Sequence, residues 1–75
     1  MHTSYMNAML HIRKQVLCLT QAEMAAVAKA SQATVSRWEN GELEPTRDHL
    51  AAIREEAKRR RIKWSDALFF KDRAA

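Results

Sequence analysis

Gln32, Ala33, Ser36 and Arg37 bring an amide, a methyl, a hydroxyl and a guanidinium together in a short stretch of chain. On an α-helix, at about 100° per residue, they spread over an arc of roughly 140°. Thr34, Val35 and Trp38 take the opposite side. Such a polar arc suits the edges of base pairs. An amide can pair with adenine, a guanidinium with guanine, and a methyl can meet the thymine methyl. The same two stripes also fit an ordinary amphipathic surface helix, and residues 31–39 alone do not separate the two readings.

The remaining reactive side chains assemble no other chemistry. His2, His11, His49 and Cys18 lack metal-ligand spacing. No nucleophile–base pair, paired-carboxylate set or glycine-rich phosphate loop stands out, so neither an enzyme nor a cofactor is expected. The single cysteine cannot form an internal disulfide and is expected as a small apolar residue ending the first helix. No apolar run approaches membrane-spanning length, and no cleavable signal peptide is visible. Thirteen Lys and Arg against nine Asp and Glu give a net charge of +4. That balance suits a polyanionic partner without requiring one.

The polar arc needs a helix held by its other face. With 75 residues, one Gly and one Pro, the chain predicts one domain over residues 1–75 with a modest core. Ala, Leu and Met are plentiful and β-branched residues sparse, which predicts an all-α fold. Five helices are expected. The first runs from about Thr3 to Leu17, with Met6, Met9, Leu10, Val16 and Leu17 inward. Thr20 and Glu23 form a capping box for the second, whose Met24, Ala25 and Ala28 share a face. Ser31 caps the third, Thr34 faces partly inward, Trp38 lies in the core, and Asn40-Gly41 is the stop. Residues 40–45 form a loop. Thr46 caps the fourth helix, which runs to about Arg60 with Leu50, Ile53 and Ala57 on one face. Ser65 caps a short last helix over 65–71.

The whole string from Leu19 to Gly41, LTQAEMAAVAKASQATVSRWENG, resembles the Cro/cI-type (XRE) helix-turn-helix family, which includes lambdoid phage repressors. The matching residues are Leu19-Thr20-Gln21, Glu23, Met24 for the usual leucine, Ala25, Ser31, Thr34, Val35, Ser36, Arg37 and Glu39-Asn40-Gly41. Pro45-Thr46, Leu50 and Ile53 continue the match. The resemblance implies a compact five-helix, lambda-repressor-like domain with its motif at 20–39 and double-stranded DNA as partner. It implies base contacts from Gln32, Ala33, Ser36 and Arg37, with Ser36 able to meet a phosphate instead. It implies phosphate contacts from Gln21, Ser31 and Asn40, with Gln21 also bracing the recognition helix. Phosphate contacts set register and base contacts set sequence.

Three departures stand out. Lys29 occupies the family's usual glycine, at a position that often needs φ > 0; either the turn tolerates a cost to lysine of about 1 kcal/mol or its geometry differs slightly. Ala28 replaces a larger core residue, with Trp38 a candidate to fill the space. The family's helix-1 arginine, partner of the glutamate matching Glu39, aligns with Arg13 or with Lys14, depending on a one-residue slip before Leu17; Ile12-Arg13 resembles the family's apolar-arginine pair and favours Arg13.

Two features lie beyond the resemblance. The run Lys58-Arg59-Arg60-Arg61, with Lys63, reads equally as compensation of a helix dipole or as a second phosphate patch. Trp64, Leu68, Phe69 and Phe70 must partly close the core, and an exposed remainder is expected as a dimer contact. Family members commonly dimerise through their last helix, which implies a homodimer. The implied function is a cytoplasmic, bacterial or phage-encoded regulator that represses from a pseudo-palindromic operator. The alternative is an antitoxin-type or other protein-interaction module, with a partner protein on the aromatic segment and DNA binding secondary. An RNA reader is weaker, because no aromatic stacking platform is evident.

Overall fold

Each helix start is set by the side chain that precedes it. The computed structural model describes residues 5–70 and 73–74, with side chains over 7–70. Asn7 caps α1 (Ala8–His11) by accepting the Leu10 N–H at 2.9 Å. Thr20 caps α2 (Gln21–Ala28), its hydroxyl taking the Glu23 N–H at 3.1 Å. The Glu23 carboxylate returns to the Thr20 N–H at 2.8 Å, completing the expected box. That backbone bond, with the Thr20 side chain second, holds the Glu23 carboxyl below its ordinary value. Ser31 caps α3 (Gln32–Glu39) through the Thr34 N–H at 3.0 Å. Thr46 caps α4 (Arg47–Arg59), and His49 Nδ1 accepts the Thr46 N–H at 3.1 Å in place of a carboxylate.

The fold is all-α, as expected, with the helix count corrected. Four α-helices are followed by a 3₁₀ helix over Asp66–Phe70 rather than a fifth α-helix over 65–71. Helix 1 does not reach back to Thr3. Tyr5–Met6 is extended and pairs antiparallel with Arg73–Ala74. The apolar spacing of Met6, Met9 and Leu10 looked helical, but a strong N-cap at Asn7 and this long-range pairing set the boundary. The expected inward Met6 side chain, and Thr3, fall outside the described residues.

Helix 1 also widens. Ile12–Val16 is a π-helical turn, and the Leu17 N–H reaches Ile12 O, five residues back, at 2.8 Å. This turn absorbs the one-residue slip noted before Leu17. It places Ile12 (fully buried) and Leu17 (buried) in the same core, although ordinary helical spacing would turn them apart. Ile12 was not among the expected core residues. Leu10 and Val16, which were, are only half-buried.

The ends of α2, α3 and α4 share one solution. Residues Lys29 (φ 60°), Gly41 (φ 78°) and Arg61 (φ 59°) adopt the left-handed conformation. The N–H groups of Ala30, Glu42 and Ile62 then return to Ala25, Arg37 and Ala57, five residues back, each at 2.9 Å. These are Schellman closures, and Ala30 and Ile62 add the accompanying apolar contact with the core. The family's turn geometry is therefore kept at Lys29, strain included. Cys18 (φ 56°) ends helix 1 in the same conformation, but it is exposed rather than apolar filling.

The core gathers Met9, Ile12, Leu17, Leu19, Met24, Ala25, Ala28, Val35, Trp38, Ile53 and Ala57. Trp38 is buried, with its ring 4.9 Å from that of His49 on α4. Small Ala28 and large Trp38 both belong to this core. Trp64, Leu68 and Phe69 are half-buried and pack against it. Asp66 fastens the 3₁₀ helix by accepting from Trp64 Nε1 at 3.0 Å and from Arg54 of α4 at 3.3 Å. Among the described residues, no helix is long and apolar enough to cross a membrane.

Because Lys29 pays the left-handed cost without any hydrogen bond from its ammonium among the described residues, Lys29→Gly is expected to stabilise the fold by about 1 kcal/mol. For a domain of this size that raises the thermal midpoint by roughly 4–8 °C. Thermal unfolding followed by circular dichroism measures it. A midpoint at or below that of the wild type would show that the side chain contributes more than its strain costs.

Candidate nucleic-acid interface

Helix α3 is apolar on one side and unengaged on the other. Val35 and Trp38 are buried beneath it, while Gln32, Ala33 and Arg37 are exposed. Among the described residues, the side chains of Gln32 and Arg37 make no hydrogen bond or ion pair, so an amide and a guanidinium stand ready to donate. Ser36, the fourth member of the arc, is half-buried at its edge. Thr34 is half-buried and its hydroxyl accepts from Ser31 Oγ at 2.9 Å, which fits a structural role. Ser31 is thus occupied twice, as cap and as donor to Thr34.

The far end of α3 is fixed by Glu39. Arg13 grips its carboxylate with two bonds, Nε to Oε2 at 2.5 Å and Nη2 to Oε1 at 3.0 Å. Gln21 Nε2 donates to the same Oε1 at 3.0 Å. Arg13 also donates to Leu19 O at 3.0 Å, tying the linker between helix 1 and α2 into the cluster. The open choice between Arg13 and Lys14 is resolved in favour of Arg13; Lys14 is exposed. Gln21, at the first position of α2, braces α3 as the resemblance implied and is not merely solvated.

Asn7 was missed by sequence reasoning. Its Nδ2 donates to the carbonyl oxygens of Trp38 at 2.8 Å and Glu39 at 2.9 Å. The one available signal was the residue type, since asparagine is among the best N-caps and precedes Ala8. Its reach to α3 has no sequence signature. Asn40 follows as the C-cap, exposed, and Gly41 turns the chain away.

Part of the basic run at the end of α4 is paired within its own helix. Glu56 accepts from Arg59 and from Arg60, and Glu55 lies 3.8 Å from Lys58. Hydrogen bonds from Arg59, then Arg60, hold the Glu56 carboxyl below its ordinary value. These pairs are worth little individually.

The aromatic segment divides. Trp64, Leu68 and Phe69 serve the core, whereas Phe70 is 80 % exposed. Phe70 borders a cleft of about 470 Å³ that is also lined by Leu10, Leu43, Pro45, Leu50 and Phe69. Leu43, in the loop after α3, is the other large apolar side chain exposed among the described residues.

The Arg13–Glu39 pair is nearly buried, with side-chain exposures of 12 % and 7 %. Removing one partner of such a pair strands the other's charge, at about 3–5 kcal/mol. Arg13→Ala is therefore expected to lose at least about 3 kcal/mol in urea unfolding. A loss under about 1 kcal/mol, the range of a surface pair, would contradict the anchoring role.

The helix-turn-helix family model matches residues 17–59, more than half of the chain. Comparison with curated proteins and with solved structures gives no match. The matched segment contains α2, the left-handed turn at Lys29, α3 and α4, with the exposed arc and its anchors Gln21 and Glu39. The chain belongs to the Cro/cI-type (XRE) helix-turn-helix family of DNA-binding transcription regulators.

Proposed function

We propose that this chain is a repressor that binds a pseudo-palindromic operator as a homodimer, with α3 in the major groove. The observation that carries this reading is the exposed, unengaged arc of Gln32, Ala33 and Arg37 on a helix anchored at its far end. In this reading Arg37 donates to guanine, Gln32 pairs with adenine, Ala33 touches a thymine methyl, and Ser36 meets a base or phosphate. Gln21 and Asn40 border the arc and meet phosphates, Gln21 with the amide hydrogen not given to Glu39. Ser31 joins them by turning its hydroxyl away from Thr34. The net charge of +4 adds salt-dependent affinity for any sequence.

Two copies related by a twofold axis would place their recognition helices about 34 Å apart on one face of the duplex. Exposed Phe70 and Leu43, beside the cleft, favour the twofold contact, because a self-complementary face needs an apolar knob next to a recess. Trp64, Leu68 and Phe69 support this contact from beneath rather than forming it alone. Repression follows from occlusion of a promoter, in the cytoplasm of a bacterial host. The second reading, a module whose main partner is another protein, rests on the same exposed Phe70.

Arg37→Ala is expected to cost about 1–3 kcal/mol of discrimination at one base pair while leaving the thermal midpoint unchanged. Competition binding between a DNA duplex selected by the wild type and its single-base variants measures this. Discrimination equal to that of the wild type would place the reading face elsewhere. Phe70→Ser separates the two readings without disturbing the core, which a truncation at residue 64 would damage. The variant is expected to sediment as a monomer and to bind the selected duplex more weakly. A dimer that survives the change would remove Phe70 from the twofold contact and leave it as the site of a different protein.

A further inference from the structure

Asn7 begins one helix and holds the end of another. Its Oδ1 accepts the Leu10 N–H at 2.9 Å, while its Nδ2 donates to Trp38 O and Glu39 O at 2.8 and 2.9 Å. An asparagine amide has two donor hydrogens, and here both go to α3. The carbonyls it meets belong to the last turn of that helix, where C=O groups have no partner within the helix. Glu39 is thus held twice: its carboxylate by Arg13 and Gln21, its backbone by Asn7.

What depends on that backbone lies on both sides of it. Arg37 is two residues before Glu39, on the last turn of α3. Asn40 and Gly41 follow directly, and their N–H groups close on Ser36 O at 3.0 Å and Trp38 O at 3.2 Å. Fraying of this turn would re-aim the Arg37 guanidinium and swing the chain at Asn40. The carboxylate clamp holds the Glu39 side chain, whereas the Asn7 amide holds the backbone carbonyls of this turn directly.

We infer that Asn7 is a positioning residue for DNA reading, which sets the aim of Arg37 and the exit of Asn40 by fixing the Trp38 and Glu39 carbonyls. The inference rests on the DNA-reading role of α3 proposed above. It requires a residue that caps α1 and donates to α3 at once. Serine caps as well as asparagine but is too short to reach α3. Aspartate also caps, but it has no donor and would set a negative charge against the negative end of the α3 dipole.

The test uses the full chain with Asn7→Ser and Asn7→Asp. Amide hydrogen exchange is followed by NMR at Asn40, Gly41 and Glu42, with Met24 and Ile53 as internal references. Competition binding compares a duplex that the wild type selects from a random library with a scrambled duplex. Both variants are expected to exchange about tenfold faster at residues 40–42 relative to the references. Preference for the selected duplex is expected to fall about tenfold, with binding to the scrambled duplex unchanged. Equal acceleration at Met24, Ile53 and residues 40–42 would reduce Asn7 to general stability and overturn the inference. A wild-type preference retained by Asn7→Ser would overturn it while leaving DNA reading intact. A wild type that selects no duplex from the library would overturn the DNA reading itself, and the role of Asn7 with it.

Discussion

The buried carboxylate of Glu39 is the point on which the interface depends. It ends α3, and the hydrogen bonds it accepts come from Arg13 in helix 1 and Gln21 at the start of α2. Three helices therefore meet at one charge. A charge-assisted, two-pronged arginine contact fixes direction as well as distance. The α2–α3 angle, on which any reading of a groove rests, is consequently set at both ends. The turn at Lys29 fixes one end and the Glu39 cluster the other. Between them the outward Gln32 and Arg37 side chains make no hydrogen bond or ion pair among the described residues.

Magnitudes explain how so small a core tolerates its irregularities. Trp38 buries its ring with Nε1 unpartnered among the described residues. An unmade bond of this kind costs about 1–3 kcal/mol. Burial of a tryptophan side chain removes roughly 150–250 Å² from water, a gain of about 4–6 kcal/mol at 25 cal per Å². Packing wins, and α3 keeps its anchor. The left-handed non-glycine residues at Cys18, Lys29 and Arg61 each cost about 1 kcal/mol. At Lys29 and Arg61 that cost is offset by the Schellman bonds and by apolar contact one residue later.

Local chemistry made much of this legible in the chain. The caps at Thr20, Ser31 and Thr46 and the stop at Asn40-Gly41 are properties of a few adjacent residues, and each stands where it was expected; the left-handed turn at Lys29 settled a choice the chain left open. The inward Met24, Val35, Trp38 and Ile53 follow from helical spacing. Two of the missed features depend on distant partners. Asn7 reaches α3 across 31 and 32 residues of sequence. Tyr5–Met6 pairs with a segment at the other end of the chain. The π-turn at Ile12–Val16 is invisible to a 3.6-residue period, which is why Ile12 was missed and why the alignment at Arg13 and Lys14 was ambiguous. The aromatic segment divided for a related reason. Composition counts apolar residues, whereas the 3₁₀ geometry decides which of them turn inward.

The central claim is that the free arc of α3 reads base sequence. A selection of duplexes from a random DNA library by the purified protein, at two salt concentrations, tests it most directly. The account predicts an enriched inverted repeat with half-sites about one helical turn apart, retained at the higher salt. Salt-sensitive binding without any enriched sequence would contradict it, leaving only the basic surface to account for affinity.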